Sequence, residues 1–117
     1  MGTTISTDLI RGHTDTIILN VLSQGDNYGY GVYKRIIELS GNQYELKEAT
    51  LYTAFRRLEG EGLIVSYWGD ETQGGRRKYY RITDSGKELY EQNKKDWDFA
   101  KSVLDKLIKG GLGDVKE

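Results

Sequence analysis

Between Ala49 and Ile82 the sequence runs ATLYTAFRRLEGEGLIVSYWGDETQGGRRKYYRI. Apolar residues at helical spacing stop at Gly60-Glu61-Gly62. An apolar stretch from Leu63 to Trp68 follows, and a segment from Gly69 to Gly75 leads into a second stretch that opens Arg76-Arg77-Lys78. A helical period that gives way to two strand-like runs joined across glycines predicts a helix followed by a β-hairpin. The hairpin is a wing: its loop spans Gly69 to Gly75 and its return strand Arg76 to Ile82.

Three further helices are expected. The first covers roughly Ser6 to Ser23. Leu9, Ile10, Ile17, Ile18, Leu19, Val21 and Leu22 are not confined to one stripe, so this helix is buried on more than one side, the second surface being another subunit. Gln24-Gly25-Asp26-Asn27 breaks it. A helix over Tyr30 to Leu39 ends at Ser40-Gly41-Asn42, with Gly41 as the C′ glycine. Tyr44-Glu45-Leu46 is a candidate for a very short strand. The helix of the opening segment runs from about Glu48 to Glu59. Thr83-Asp84-Ser85 caps a long last helix reaching Lys109, with Leu89, Trp97, Ala100, Leu104 and Leu107 on a seam interrupted by Asn93. Gly110-Gly111 stops it. The expected organisation is a compact unit over residues 1–83, a dimerisation helix over 84–110 and a flexible tail over 111–117. The class is α+β, mainly α.

On the Glu48–Glu59 helix, steps of 100° place Leu51, Phe55 and Leu58 within about 40° of one line, which makes them the core stripe. Ala49, Tyr52, Thr53 and Arg56 point away from it, with Thr50 and Arg57 on one flank. An outer face of small, hydroxylated and cationic residues suits a major groove, where an α-helix fits and base edges carry a distinct code. It also suits an ordinary solvated face, and the wing tips the balance. In the return strand Arg77, Tyr79 and Arg81 lie on one side, while Tyr80 and Ile82 pack on the core. Arg76, Arg77 and Lys78 stand near the wing tip, where they can follow phosphates or a groove. Tyr28-Gly29-Tyr30-Gly31 admits two readings: a tight aromatic turn, or a phosphate contact in which Tyr30 donates its hydroxyl and Lys34 adds a cation.

The net charge of −1 argues against nucleic acid only as a whole-chain sum. Arg76 to Arg81 holds four cations and no anion, and binding follows the local field. At 117 residues, 37% apolar and 30% charged, the chain is one domain, or one domain plus an appended helix, and fits a small domain that can complete its core by dimerising. Without cysteine there is no disulfide framework and no thiol nucleophile. His13 is the lone histidine, so no metal site is expected, and no cofactor is implied. Apolar runs such as Ile17 to Leu19 are too short to span a bilayer, and no basic segment precedes an apolar one at the N-terminus. A cytoplasmic address is expected. No nucleophile elbow is visible, and Gly29-x-Gly31 lacks the third glycine of a dinucleotide loop, so enzymatic activity has no positive support.

Several motifs in one order carry a resemblance: Tyr28-Gly29-Tyr30-Gly31, then Thr50-Leu51-Tyr52 leading to Arg56-Arg57-Leu58-Glu59 and Glu61-Gly62-Leu63-Ile64. Gly75-Arg76-Arg77-Lys78-Tyr79-Tyr80-Arg81-Ile82-Thr83 with Gly86 completes the set. Over nearly its whole length the chain resembles PadR-like transcriptional regulators. The resemblance implies a winged helix-turn-helix with a C-terminal dimerisation helix, and a homodimer that binds double-stranded operator DNA, usually as a repressor. A single C-terminal helix is similar to the compact branch. That branch includes multidrug-sensing repressors whose facing tryptophans sandwich flat aromatic or cationic ligands. Trp97 falls on the matching helix; it is either packing surface or one wall of such a slot, with Asp98, Asn93 and Ala100 as the other candidate ligand residues. Thr53 stands where proline is common in the family. The expected dimer contacts are Leu9, Ile10, Leu89, Trp97, Leu104 and Leu107. The rival reading is a winged-helix protein-interaction module whose wing binds an acidic partner.

Overall fold

The computed structural model describes residues 4–69 and 76–111. Five helices and three strands follow in order: α1 (Thr7–Ile10), α2 (Thr14–Ser23), β1 (Asn27–Tyr28), α3 (Gly29–Leu39), α4 (Glu48–Gly60), β2 (Ile64–Trp68), β3 (Lys78–Ile82) and α5 (Asp84–Lys109). The strands form one antiparallel sheet in the order β1-β3-β2. This is a winged helix-turn-helix with a long last helix, mainly α, as the sequence predicts. Residues 70–75 of the expected wing loop, and 112–117 of the expected tail, lie outside the described residues.

The core explains why each element sits where it does. α2 contributes Ile18, Leu19, Val21 and Leu22; α3 contributes Val32 and Ile36; α4 contributes Leu51, Ala54, Phe55 and Leu58. Ile64, Tyr80 and Ile82 close it from the sheet. The predicted stripe of α4 is thus its buried face. Strand alternation also holds on β3, where Tyr80 and Ile82 are buried while Tyr79 is half-buried and Arg81 exposed on the other face.

Two expectations are corrected. The single helix over Ser6–Ser23 is two helices, because Gly12 adopts φ +93°, a left-handed geometry that ends α1, and α2 restarts at Thr14. Tyr44-Glu45-Leu46 forms no strand: Leu46 drops into the core, and the Ser40 hydroxyl accepts from the Tyr44 amide at 2.9 Å, tying this irregular segment to the end of α3. The third strand is instead Asn27–Tyr28, which pairs with Tyr80 and Tyr79. Leu89 and Tyr90, on the first turns of α5, are partly buried and pack against the core.

The junction into α5 is tight. The Thr83 hydroxyl accepts from the Gly86 amide at 3.0 Å and donates to the Gly62 carbonyl at 2.7 Å, while the Thr83 amide donates to the Leu63 carbonyl at 3.0 Å. Gly86 has no room for a side chain: a Cβ there would lie 2.1 Å from the Leu63 carbonyl oxygen. Backbone cannot yield as a side-chain tip can. Gly86→Ala should therefore lower stability by about 1–3 kcal/mol in urea unfolding. Gly60→Ala, at the open end of α4, should leave stability unchanged or raise it by about 0.5 kcal/mol. Equal midpoints for the two variants would contradict this packing.

Candidate nucleic-acid interface

Because Leu51, Ala54, Phe55 and Leu58 turn inward, the opposite side of α4 turns Ala49, Thr50, Tyr52, Thr53, Arg56 and Arg57 outward. Thr53 bonds back along its own helix, its hydroxyl donating to the Ala49 carbonyl at 2.9 Å and accepting from Arg56 at 3.3 Å. This arrangement places Arg56 beside the first turns of α4. Arg57 is tied sideways to Asp15 in the first turn of α2. Thr14, Ala49, Thr50, Thr53, Ala54 and Arg57 line a shallow niche between the two helices.

A cleft opens beside this face, lined by Tyr28, Gly29, Tyr30, Tyr52, Arg77, Lys78 and Tyr80. Gly29 permits it, since a Cβ at that position would sit 2.1 Å from the Tyr52 hydroxyl. Burial pushes the Tyr80 phenol up, with further upward pressure from Tyr52 and Glu59 and an opposing one from Arg56, so Tyr80 remains a neutral hydroxyl. Tyr30 is half exposed and stacks on Tyr33, with ring centroids 5.7 Å apart, and the Lys34 ammonium lies 5.8 Å from the Tyr30 centroid. The Tyr33 hydroxyl donates to Glu45, and that bond pushes the Tyr33 pKa up to about 12. The wing strand carries cations over rings: Arg76 over Trp68 at 5.7 Å, Arg77 over Tyr28 at 4.5 Å and Lys78 over Tyr80 at 5.8 Å.

The candidate residues therefore divide by location. Tyr30, Tyr52, Arg77 and Lys78 meet at the cleft; Thr50, Thr53 and Arg56 continue it along α4; Lys34 flanks it on α3. Arg57 stands apart in its ion pair, and Arg76 sits at the start of the described wing strand against Trp68.

The second candidate set lies on another side of the molecule. Leu9, Ile10, His13, Ile17, Asn93, Trp97 and neighbouring residues line an open apolar groove of about 450 Å³ between the N-terminal helices, the end of α3 and α5. The His13 ring meets Trp97 edge-on at 5.0 Å, and the Asn93 amide donates to the Thr16 hydroxyl at 2.9 Å. Asp98 and Ala100 are not among the lining residues; Asp98 pairs with Lys101 at 3.7 Å. Leu104 and Leu107 lie farther along α5, both exposed.

The model of the family described as "Transcriptional regulator PadR-like family" matches residues 18–92, from within α2 to the first turns of α5. This chain belongs to that family. Among solved structures, a transcriptional regulator from Clostridium thermocellum is 49% identical to this PadR-like chain. The overlap covers 91% of this chain and 100% of that one, at a TM-score of 0.83. A PadR family transcription regulator from Clostridium difficile is 40% identical over 83% of this chain and 99% of its own, with a TM-score of 0.75. Bacillus subtilis PadR, solved in complex with operator DNA, is 26% identical, covering 71% of this chain and 46% of its own, with a TM-score of 0.62.

Sequence reasoning named Tyr28 in the Tyr28–Gly31 motif but missed its contact with Arg77, and it missed Asp15 and Asp26 in this PadR-like surface. Tyr28 lies in a two-residue strand, too short to show a period. Asp15 and Asp26 bond to Arg57 and Arg81 across sequence separations that no local pattern reveals. The one available signal was the outward side of the wing strand, where Arg77, just before β3, alternates with Tyr79 and Arg81. Gly29→Ala should drive the Tyr52 ring from its seat at a cost of about 1 kcal/mol, because the obstructing atom ends a rotatable side chain. NMR shifts of the Tyr28, Tyr30 and Tyr52 ring protons should move together; unchanged shifts would show that the ring does not rest on Gly29.

Proposed function

We propose that this PadR-like regulator binds double-stranded operator DNA as a homodimer and acts as a repressor in the cytoplasm. The observation that carries this is one continuous surface on which the outward face of α4 and the cations of β3 adjoin. Tyr52, Thr53 and Arg56 enter the major groove, while Arg76, Arg77 and Lys78 contact phosphates or the minor groove. Thr50, Tyr30, Lys34 and Arg57 fill the phosphate-facing border. The operator complex of Bacillus subtilis PadR supports this use of the fold.

The dimer follows from the apolar surface that one protomer leaves uncovered. The groove beside Trp97 is open, and Phe99, Leu107 and Ile108 of α5 are 73–77% exposed. A second copy related by a two-fold axis would cover both, with Leu9, Ile10, Leu89, Trp97, Leu104 and Leu107 at the contact. Its operator would be an inverted repeat with half-sites about one helical turn apart or a multiple of that. A flat aromatic or cationic ligand seated at Trp97 and Asn93 would relieve repression by favouring one spacing of the two α4 helices over another. That set is narrower than the one the sequence suggests, because Asp98 and Ala100 lie off the groove.

Lys78→Ala should weaken binding to all duplex sequences alike and flatten the dependence of log affinity on log salt by about one unit. Titration of fluorescein-labelled duplexes across a salt series measures it; a loss confined to one base sequence would reject the phosphate role. Absence of salt-dependent retention of any duplex would favour the protein-interaction alternative. Leu107→Asp should turn the dimer into monomers by sedimentation velocity at micromolar concentration. Trp97→Ala should abolish fluorescence quenching by a planar aromatic cation such as ethidium; quenching that persists through Trp68 alone would place the ligand elsewhere.

A further inference from the structure

The outward face of the sheet carries a row of rings that base or groove recognition leaves unexplained. Tyr28 of β1, Tyr79 of β3 and Tyr67 of β2 stand abreast across the three strands, as the pairings Tyr28↔Tyr79 and Tyr67↔Tyr79 dictate. Tyr28 meets Tyr79 edge-on at 5.7 Å, and Tyr79 stacks on Tyr67 at 5.8 Å with 17° between planes. A guanidinium covers each end of the row: Arg77 lies 4.5 Å from the Tyr28 centroid and Arg81 lies 4.9 Å from that of Tyr67.

The end beside Arg81 is anchored. Arg81 Nε donates to Asp26 Oδ2 at 3.0 Å, and the Tyr67 hydroxyl donates to the same oxygen at 2.5 Å. Asp26 belongs to the turn that precedes β1 and stands two residues from Tyr28, so it fixes β1 against the hairpin. Tyr79 is confined as well, since a Cβ on Gly69 would come within 2.4 Å of its ring. The other end is open: Arg77 is exposed and lines the cleft shared by Tyr30, Tyr52 and Lys78. An arginine chain has many rotamers to lose on binding, and a planar guanidinium held on a ring loses fewer.

We infer that Asp26, Tyr67, Tyr79 and Tyr28 are positioning residues, which present the Arg77 guanidinium at the mouth of the cleft already oriented toward a duplex phosphate. The inference rests on the DNA-binding function proposed above. It assigns a role to residues that touch no nucleic acid, and it makes the outer sheet face part of the reading surface rather than inert protection of a strand edge.

The test measures affinity of the full chain for mixed-sequence duplex DNA across a salt series, because phosphate contacts are independent of sequence. Tyr28→Leu, which removes the ring beneath Arg77, should weaken binding about five-fold and flatten the salt dependence by about one unit. Tyr28→Phe should match the wild type. Tyr28→Leu combined with Arg77→Ala should be no weaker than Arg77→Ala alone. Asp26→Ala supplies a second arm on an exposed turn, where folding survives if Tyr28→Leu fails to fold. Removing an anion would by charge alone tighten DNA binding; loss of the anchor should weaken it. Wild-type salt slope in Tyr28→Leu, additive losses in the double variant, or tighter binding by Asp26→Ala would each overturn the inference. A wild-type chain that shows no salt-dependent binding would instead overturn the DNA-binding function itself.

Discussion

The Phe55–Tyr80 stack holds the two exposed working surfaces of this protein in fixed relation. Their rings lie nearly parallel, 14° apart with centroids separated by 4.1 Å, and both side chains are buried. Phe55 belongs to the inward stripe of α4 and Tyr80 to the inward side of β3. Once these two rings meet, helical geometry fixes where Thr53 and Arg56 point, and strand alternation fixes where Lys78 points. One apolar contact thereby sets the angle between a helix face and a cationic strand. No polar contact on the surface could do this as firmly, because exposed ion pairs contribute little and are screened by salt.

Charge is distributed around that frame by pairing rather than by excess. The net charge of −1 still leaves the wing strand cationic, because residues 76–82 carry four cations and no acid, and several acids elsewhere pair with cations. Asp15 meets Arg57, Asp26 meets Arg81, and on α5 Glu91, Asp98 and Asp105 meet lysines one turn away. Arg76, Arg77 and Lys78 lie over aromatic rings, which attract a cation without cancelling its charge. A nearly neutral chain can therefore present a strongly basic edge.

Most of the fold was legible because its main elements are long enough to show a period. Leu51, Phe55 and Leu58 identify the inner side of α4, and Tyr80 and Ile82 that of β3. The failures have local causes. Gly12 ends a helix whose apolar content continues on both sides of the break, so hydrophobicity alone does not show it. β1 has two residues and exists only because β3 offers it a partner. Within the candidate site, outward residues on α4 could be named from angles, whereas Arg57 and Arg77 owe their orientation to Asp15 and Tyr28, groups far away in sequence.

The knot of backbone contacts at Thr83 and Gly86 leaves no joint between the sheet and the long last helix. With 26 residues that helix is a rod of about 39 Å, fused at its base to the hairpin. A torque applied near its free end cannot dissipate in a pliant connector and must swing the whole head as a rigid lever. Whatever grips the outer half of the rod thus acquires mechanical control over where the far side of the molecule is aimed.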